Sequence, residues 1–322
     1  MNLWQQSMIR LARSERVKRT IGGLVTATPL ARRFVGGDSA AAAVATARRL
    51  RDELGISASL FYLGEYVSES AVVEQTVVAT LAAVELLGAA GLDVHVSVDP
   101  TAIGQMASEE LCAENADRLA RAVAAYPDGR RNALMLDMED LSLLEPTLRL
   151  HDRLIARGLP AAVTLQARLR RTESDLRSLL GRTRAIRLVK GAFPLGPAHD
   201  HQGRAAITDS YLRLAEAMLS AQAQKSGLYP VFATHDDLLA ERISILARTN
   251  GWRPDQYEFE MLYGVRPRWQ RQLRAQGLSV RVYLPFGTDW WAYAIRRLGE
   301  NPRNLLLLAP LLFHRDEDRS RP

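Results

Sequence analysis

The strongest constraint on the fold of this chain is an alternation, repeated eight times, between short apolar or β-branched runs and longer helical segments. Such runs are typical of buried strands, and strands that alternate with helices predict an α/β fold with a parallel sheet. Eight strands are the number that closes a (βα)8 TIM-like barrel. An open doubly wound sheet is the alternative, but no Gly-x-Gly-x-x-Gly follows the first run. The predicted strands are Ala58 to Leu63, Val94 to Val98, Ala133 to Leu136, Ala161 to Leu165, Ala185 to Val189, Pro230 to Ala233, Tyr257 to Met261 and Val280 to Leu284.

The 322 residues are expected to form three parts. Residues 1–57 are predicted to be an N-terminal helical arm, residues 58–304 the barrel, and residues 305–322 a C-terminal tail. One barrel of this kind commonly occupies such a length as a single domain. The predicted helices are Ala40 to Leu54, Ser70 to Ala90, Ser108 to Ala125, Glu145 to Arg157, Thr172 to Leu180, Thr208 to Ala223, Asp236 to Thr249 and Arg268 to Gln276.

Polar side chains follow nearly every predicted strand. Because chemistry in a closed barrel takes place at the carboxyl ends of the strands, these residues are the candidates for an active site. Any one of them alone is more often a loop residue than a catalyst, so the prediction depends on the whole set. The set is Glu65, Asp99, Asp137, Glu139, Gln166, Lys190, Thr234, His235, Asp236, Tyr263 and Tyr283.

A helix is predicted after the last strand, starting near Asp289 and stopped by Asn301-Pro302. One of its faces joins an aromatic ring, two guanidinium groups and a carboxylate, at spacings of three, four and seven residues. A solvated basic face is the alternative, but two guanidinium groups over the barrel mouth can clamp a carboxylate. The residues of this face are Tyr293, Arg296, Arg297 and Glu300.

Lys190 is one of only three lysines and follows the fifth predicted strand, just before Gly191 and Ala192. A lysine at a strand end, next to residues small enough for a ligand to approach the backbone, suits an anionic or electron-rich ligand. A Schiff-base lysine of the aldolase type is the second interpretation.

Composition excludes several classes of protein. The net charge of the chain is +6. The arginines are scattered among acidic residues instead of forming one stripe, which disfavours nucleic-acid binding. The single cysteine, Cys112, rules out an internal disulfide and fits a reducing cytoplasm. His199 and His201 have no obvious third ligand, so no metal is expected.

A membrane-spanning segment is not predicted, because no run of consecutive apolar residues reaches the ~18 that cross a bilayer. Met1 to Lys18 mixes Leu, Ile and Trp with basic residues. Such a segment is compatible with an amphipathic helix and with weak peripheral contact at the inner face of a membrane.

Arg187-Leu-Val-Lys-Gly-Ala-Phe193 resembles the Arg-Leu-Val-Lys-Gly-Ala-Tyr motif of the flavin-dependent proline dehydrogenases, of the monofunctional type. Other motifs of that family follow in the same order over roughly residues 58 to 304. Each motif alone is modest, but together they are highly specific. They are Leu60 to Glu65, Leu136 to Asp140, Leu165 to Ala167, Ala233 to His235, Phe259 to Gly264, and Tyr283 with Tyr293, Arg296, Arg297 and Glu300.

The resemblance implies a barrel that holds FAD non-covalently and oxidises L-proline, or a related secondary amine, to Δ1-pyrroline-5-carboxylate or the corresponding imine. A membrane quinone or another acceptor would then reoxidise the flavin. By resemblance, the cofactor is held by Gln166, Arg187, Val189, Lys190, Gly191, Ala192, Thr234 and His235. The catalytic residues implied are Asp137, Tyr283, Tyr293, Arg296 and Arg297, and the substrate-binding residues are Asp99, Leu262 and Glu300.

Three positions depart from the family pattern. Where the family normally has lysine, this chain has Asp99, which reverses the charge beside the predicted carboxylate clamp. Phe61 stands where aspartate is more frequent, and Phe193 replaces a tyrosine. We therefore expect weaker proline binding than in ordinary members, or a different amine substrate. Two alternatives stay open at this point: the aldolase-like barrel, and a catalytically altered flavin-binding homologue whose ends recruit a partner.

Overall fold

The computed structural model describes residues 34–64, 67, 69–126, 131–192, 196–290 and 293. Over these residues the strands are β1 (Ser57–Tyr62), β2 (His95–Val98), β3 (Ala133–Leu136), β4 (Ala161–Gln166), β5 (Ala185–Val189), β6 (Tyr229–Ala233), β7 (Glu258–Leu262) and β8 (Val280–Phe286). The helices are α1 (Ala40–Leu54), α2 (Ser70–Ala89), α3 (Glu109–Ala124), α4 (Leu141–Ala156), α5 (Thr172–Leu179), α6 (Gly203–Met218), α7 (Ala221–Lys225), α8 (Asp237–Thr249) and α9 (Pro267–Ala275), with a 3-10 turn at Pro100–Ile103.

The strands form a closed parallel barrel in chain order. Closure comes from β1 and β8, which pair in parallel from Ser57 with Arg281 to Tyr62 with Phe286. This pairing excludes the open sheet and confirms the predicted barrel, with strand ends that differ from the predicted ones by at most two residues. All the carboxyl ends therefore lie on one rim.

The helix next to both β8 and β1 precedes the barrel strands in the sequence. Helix α1 packs against α2, β1 and β8, the place where a helix following the last strand would complete the ring. Ser39 caps its start, and Gly55 ends it with φ of 64°. Val44, Ala47 and Leu50 are buried against the sheet. The predicted arm, residues 1–57, thus contains a helix of the barrel wall, and its residues 1–33 lie outside the described part.

Two of the predicted helices were wrong in their limits. Helix α4 starts at Leu141 instead of Glu145, because the side chain of Asp140 accepts a hydrogen bond from the N–H of Ser142 and caps the helix one turn earlier. The predicted helix from Thr208 to Ala223 is two helices: α6, which already starts at Gly203 and ends at Met218, and α7, from Ala221 to Lys225. Ser220 separates them, because its hydroxyl accepts a hydrogen bond from the N–H of Ala223 and starts a new helix.

Among the described residues, one helix, α2, is long and apolar enough to cross a membrane, judged by its length and composition alone. The apolar residues of α2 are interspersed with polar ones, so the helix is long enough although no continuous apolar run in the sequence is. In the structure α2 packs against α1, α3 and the first two strands as part of the outer ring. A core helix of a barrel passes the same test, so this one helix is weak evidence for a membrane span.

Two arginines, Arg187 and Arg281, are buried in the barrel, where apolar side chains are the usual filling. Near the amino ends of the strands, Arg281 donates to Glu258 at 2.6 Å, to Asp93 at 2.9 Å and to the Ala58 carbonyl at 2.8 Å. Because every side of this cation meets an acceptor, the burial of its charge is compensated. The other arginine, Arg187, lies near the opposite end.

Candidate active site at the carboxyl ends of the strands

The floor of the barrel mouth is built on Arg187, which is 2% exposed. Its guanidinium donates to Glu260 at 2.5 and 2.9 Å and to Asp137 at 2.5 Å. The nitrogen that donates to Glu260 at 2.9 Å, Nη2, also reaches the hydroxyls of Ser59 and Ser97, at 3.2 and 3.0 Å. Burial by itself would lower the pKa of Arg187, but the carboxylates of Glu260 and Asp137 outweigh it and raise that pKa. This network fixes a cation just below the rim.

Asp137 connects the floor to an aromatic wall. Its second carboxylate oxygen accepts a hydrogen bond from the Tyr283 hydroxyl at 2.8 Å, while Thr164 and Arg187 donate to the first. The Tyr283 ring packs against that of Phe61, with 5.2 Å between the centroids. Burial, followed by the charge of Asp137, raises the pKa of Tyr283 well above its usual value. Tyr283 is therefore a neutral hydrogen-bond donor and an apolar surface.

The end of β2 is tied to the end of β3. Glu139 accepts hydrogen bonds from both the backbone N–H and the hydroxyl of Thr101, at 3.0 and 2.5 Å. Thr101 lies in the 3-10 turn that Asp99 starts, and Asp99 is buried at 9% exposure. Its charge contributes to the raised pKa of Tyr283, so the acid lies near the aromatic wall. The carboxylate of Glu139 thus sets the turn that carries Asp99.

Gln166 and Gly191 form the rim at the ends of β4 and β5. The Gln166 amide donates to the carbonyls of Met138 and Glu139, at 3.2 and 2.9 Å. Gly191 has a φ of +96°, and a Cβ there would lie 2.9 Å from the Gln166 side-chain oxygen. Only glycine fits this position. Gly191 has no side chain and Ala192 has only a methyl group, so the backbone after Val189 carries no bulky side chain at these two positions.

Lys190 pairs with Asp236 across the gap between β5 and β6, with 2.8 Å between its ammonium and the carboxylate. The hydrogen bond from Lys190 lowers the pKa of Asp236. A Schiff-base lysine has to lose its proton in a desolvated pocket, whereas this one is about one-third exposed and faces a carboxylate that stabilises the ammonium. The geometry therefore disfavours the aldolase interpretation.

The loop after β6 completes the rim beside Leu262. Thr234 is buried, and its hydroxyl accepts a hydrogen bond from the N–H of Asp236 at 3.1 Å. The ring of His235 accepts from the N–H of Leu262 at 3.5 Å, which joins this loop to the end of β7. The structure therefore brings together ten of the predicted site residues on neighbouring strand ends and their floor: Asp99, Asp137, Gln166, Arg187, Lys190, Gly191, Thr234, His235, Leu262 and Tyr283.

Part of the predicted site lies outside the described residues, namely Glu65, Phe193, Arg296, Arg297 and Glu300, together with most of the helix predicted after β8 and the predicted tail at 305–322. Tyr293 is described and is 6% exposed. The carboxylate clamp stays a prediction.

Four floor residues are not among those predicted from the sequence: Ser59, Ser97, Thr164 and Glu260. Each is a polar residue inside a buried strand that also contains apolar residues. The period of two along a strand places Glu260 and Glu258 on one face of β7, and charges at alternate positions of a buried strand are the signal that could have identified them.

His199 and His201 lie in a loop that is hydrogen-bonded to the loop after β4. The backbone N–H of His201 donates to the Arg168 carbonyl at 2.8 Å, and the N–H of Arg170 donates to the His199 carbonyl at 2.9 Å. Asp200, between them, is 1% exposed and lies 3.6 Å from the Arg168 guanidinium. This pattern is a structural link between two rim loops.

A sequence profile described as proline dehydrogenase matches residues 43–307. The chain is 34% identical over 277 residues to proline dehydrogenase 1 of Bacillus subtilis subsp. natto, covering 85% of this chain and 87% of that protein. It is also 34% identical over 280 residues to a proline dehydrogenase of Deinococcus radiodurans, with the same coverage.

Among solved structures, proline utilization A from Bdellovibrio bacteriovorus superposes with a TM-score of 0.78 at 20% identity, over 98% of this chain and 38% of that one. The protein of the same name from Corynebacterium freiburgense gives 0.72 at 22% identity, over 99% of this chain and 36% of that one. The chain thus spans little more than a third of these structures, and at such identities they support the fold alone. On the sequence matches, which cover most of its length, the chain belongs to the proline dehydrogenase family.

Proposed function

We propose that this protein is an FAD-dependent oxidoreductase that acts on the CH–NH bond of L-proline and releases Δ1-pyrroline-5-carboxylate. In this reaction proline loses a hydride from C5 and a proton from nitrogen, and a C=N double bond forms. One observation carries the proposal: in a chain of this family, the rim groups of β4 to β6 and the wall of Asp137 and Tyr283 border the same barrel mouth.

The rim suits FAD. An extended, planar ligand with polar edges and a diphosphate requires hydrogen-bonding groups, a cation and bare backbone on neighbouring strands. Gln166, Lys190 and Thr234 supply the polar groups. Gly191 has a φ of +96°, which favours glycine, so no side chain stands between a ligand and the peptide there. Bound FAD would supply a two-electron hydride acceptor. His235, Val189 and Ala192 would complete its contacts.

The described residues serve mainly to position the substrate and to exclude water, which hydride transfer needs more than a strong acid or base. Tyr283 and Phe61 present aromatic surface to an apolar ring. Asp137 holds the Tyr283 hydroxyl, and Arg187 holds Asp137. Arg296 and Arg297 would bind the substrate carboxylate, with Glu300 beside them and Tyr293 and Leu262 lining the same side.

The finer substrate assignment depends on Asp99. A buried carboxylate at the end of β2 repels the carboxylate of an amino acid and attracts a cationic group. We therefore propose either weak affinity for L-proline or a preference for a related secondary amine.

The electron acceptor we propose is a membrane quinone. A cytoplasmic location is supported by the single cysteine, which is buried and unpaired. Weak contact of the protein with a membrane surface through Met1 to Lys18 remains a proposal about residues outside the described part. Sedimentation with anionic vesicles, with and without residues 1–33, tests the membrane contact. Reduction of a short-chain quinone tests the electron acceptor.

The deciding experiment is anaerobic reduction of the purified flavoprotein. L-Proline and a panel of cyclic and acyclic secondary amines are added, and bleaching of the flavin absorption is followed. Bleaching by L-proline, with Δ1-pyrroline-5-carboxylate as product, is the expected result. A yellow protein that no amine bleaches would be a catalytically altered flavin-binding homologue, and a colourless protein without affinity for FAD would overturn the proposal.

A further inference from the structure

Arg266 has an unusual backbone conformation. Its φ is 52° and its ψ is 47°, and within the described part of the chain it is the sole non-glycine residue with positive φ. It lies in the loop after β7 and is followed by Pro267, the first residue of α9. The left-handed region is unfavourable for a residue with a Cβ, so surrounding contacts have to hold Arg266 there.

The contacts of its side chain explain what holds it. One guanidinium nitrogen donates to the His235 carbonyl at 2.6 Å, and another pairs with the Asp237 carboxylate at 3.0 Å. The guanidinium also lies over the Trp269 ring, 4.6 Å from its centroid. The planar guanidinium donates both hydrogen bonds and lies over the ring, so it fixes the positions of the two acceptors more precisely than the single charge of a lysine ammonium would.

The two acceptors lie at the end of the loop that follows β6: His235 belongs to this loop, and Asp237 is the first residue of α8. This loop carries Thr234 and His235 on the rim, and the opposite side of the loop is held by the pair between Lys190 and Asp236. The hydrogen bond from Leu262 to the His235 ring, at 3.5 Å, is long. Arg266 is therefore the short, charged link between the loop after β6 and the loop after β7.

Global stability does not account for this arrangement. The side chains of Arg266 and Asp237 are 40% and 61% exposed, and exposed ion pairs contribute little to folding. The left-handed backbone acts against folding. We propose that Arg266 is a positioning residue that holds Thr234 and His235 in the geometry that the cofactor needs. The inference rests on the proposed function, because it assumes that this rim binds FAD.

The test compares cofactor affinity with the stability of the apoprotein. Arg266→Gly removes the guanidinium and also removes the backbone penalty, because glycine tolerates positive φ. We expect the Kd for FAD, measured by quenching of flavin fluorescence, to rise about tenfold, the scale of a lost charged hydrogen bond. The Tm of the apoprotein should be no lower than that of the wild type. At saturating FAD, kcat should fall by less than the change in Kd.

Two further variants serve as a conservative replacement of Arg266 and as a control at another exposed ion pair. Arg266→Lys keeps the charge without the fork and should give an intermediate Kd. Arg253→Ala removes a comparable exposed pair, Arg253 with Asp255 at 3.1 Å, before the amino end of β7, and should leave the Kd unchanged. The inference is overturned if Arg266→Gly binds FAD within twofold of the wild type, or if its apoprotein Tm falls together with its affinity. A wild-type protein without affinity for FAD would overturn both this inference and the proposed function.

Discussion

At the level of single residues, the proposed substrate is tested most directly at Asp99. It is buried at the start of the 3-10 turn after β2, close enough to Tyr283 to contribute to the raised pKa of that phenol. Members of the family resembled here normally have lysine at this position. The turn itself is held by the bonds from Thr101 to Glu139, so the position of residue 99 does not depend on its own side chain alone.

Asp99→Lys should raise kcat/KM for L-proline. The change replaces repulsion of the substrate carboxylate by attraction, and about a tenfold gain corresponds to ~1.4 kcal/mol of transition-state stabilisation. Steady-state kinetics with L-proline measures it, and Asp99→Asn, which only removes the charge, should fall between the two. Kinetics unchanged in both variants would show that Asp99 does not act on the substrate carboxylate.

The two buried arginines permit a matched pair of charge-removing changes on one strand. Glu260 binds Arg187 near the mouth, and Glu258 binds Arg281 at the other end of β7; each glutamate is 2% exposed. Glu260→Gln and Glu258→Gln should each lower the free energy of unfolding by about 3 kcal/mol, because each leaves a buried cation undercompensated.

Only Glu260→Gln should also lower kcat at saturating FAD, since only Arg187 supports Asp137 and Tyr283. Urea unfolding and turnover of both variants provide the comparison. An equal loss of kcat in Glu258→Gln would mean that turnover reports general loosening of the barrel instead of the floor of the site.

At the level of elements, α1 has a role that its place in the sequence conceals. It comes before β1, yet it covers the seam where β8 and β1 close the barrel. Its buried face contains Ala43, Val44, Ala47 and Leu50, whereas Arg48 and Arg49 are exposed. The barrel therefore depends on a helix from the N-terminal side.

Leu50→Ala should lower the free energy of unfolding by about 2–3 kcal/mol, because it leaves a cavity against the closing strands. Arg49→Ala, on the exposed face of the same helix, should change it by less than about 0.5 kcal/mol. Urea denaturation measures both. If the two variants were equally stable, α1 would not contribute to the barrel seam.

At the level of the whole molecule, buried neutral histidines link stability to pH. His151 in α4 is 0% exposed, and burial lowers its pKa to about 4. His95 at the start of β2 is also buried, and its pKa is lowered for the same reason. Below the ordinary histidine pKa of ~6.5, the unfolded chain takes up protons that the folded chain does not. Stability therefore falls as the pH drops from 6.5 towards 4.

His151→Gln should remove part of this dependence. Between pH 7.5 and 4.5 the wild type should lose about 2–3 kcal/mol more unfolding free energy than the variant, the amount that a pKa of about 4 implies for this group. Urea unfolding at the two pH values measures the difference. Equal losses in both proteins would mean that His151 is protonated in the folded state.

The periodicity of the chain alone predicts the barrel, its strand limits and the rim positions of Asp137, Gln166 and Lys190, because burial imposes a local pattern on each strand. Three features arise only in the closed structure. They are α1 covering the barrel seam, the floor formed by Ser59, Ser97 and Glu260 around Arg187, and the hold of Arg266 on the loop after β6. Each depends on contacts between residues tens of positions apart in the chain, which form only in the folded barrel and which no local sequence pattern specifies.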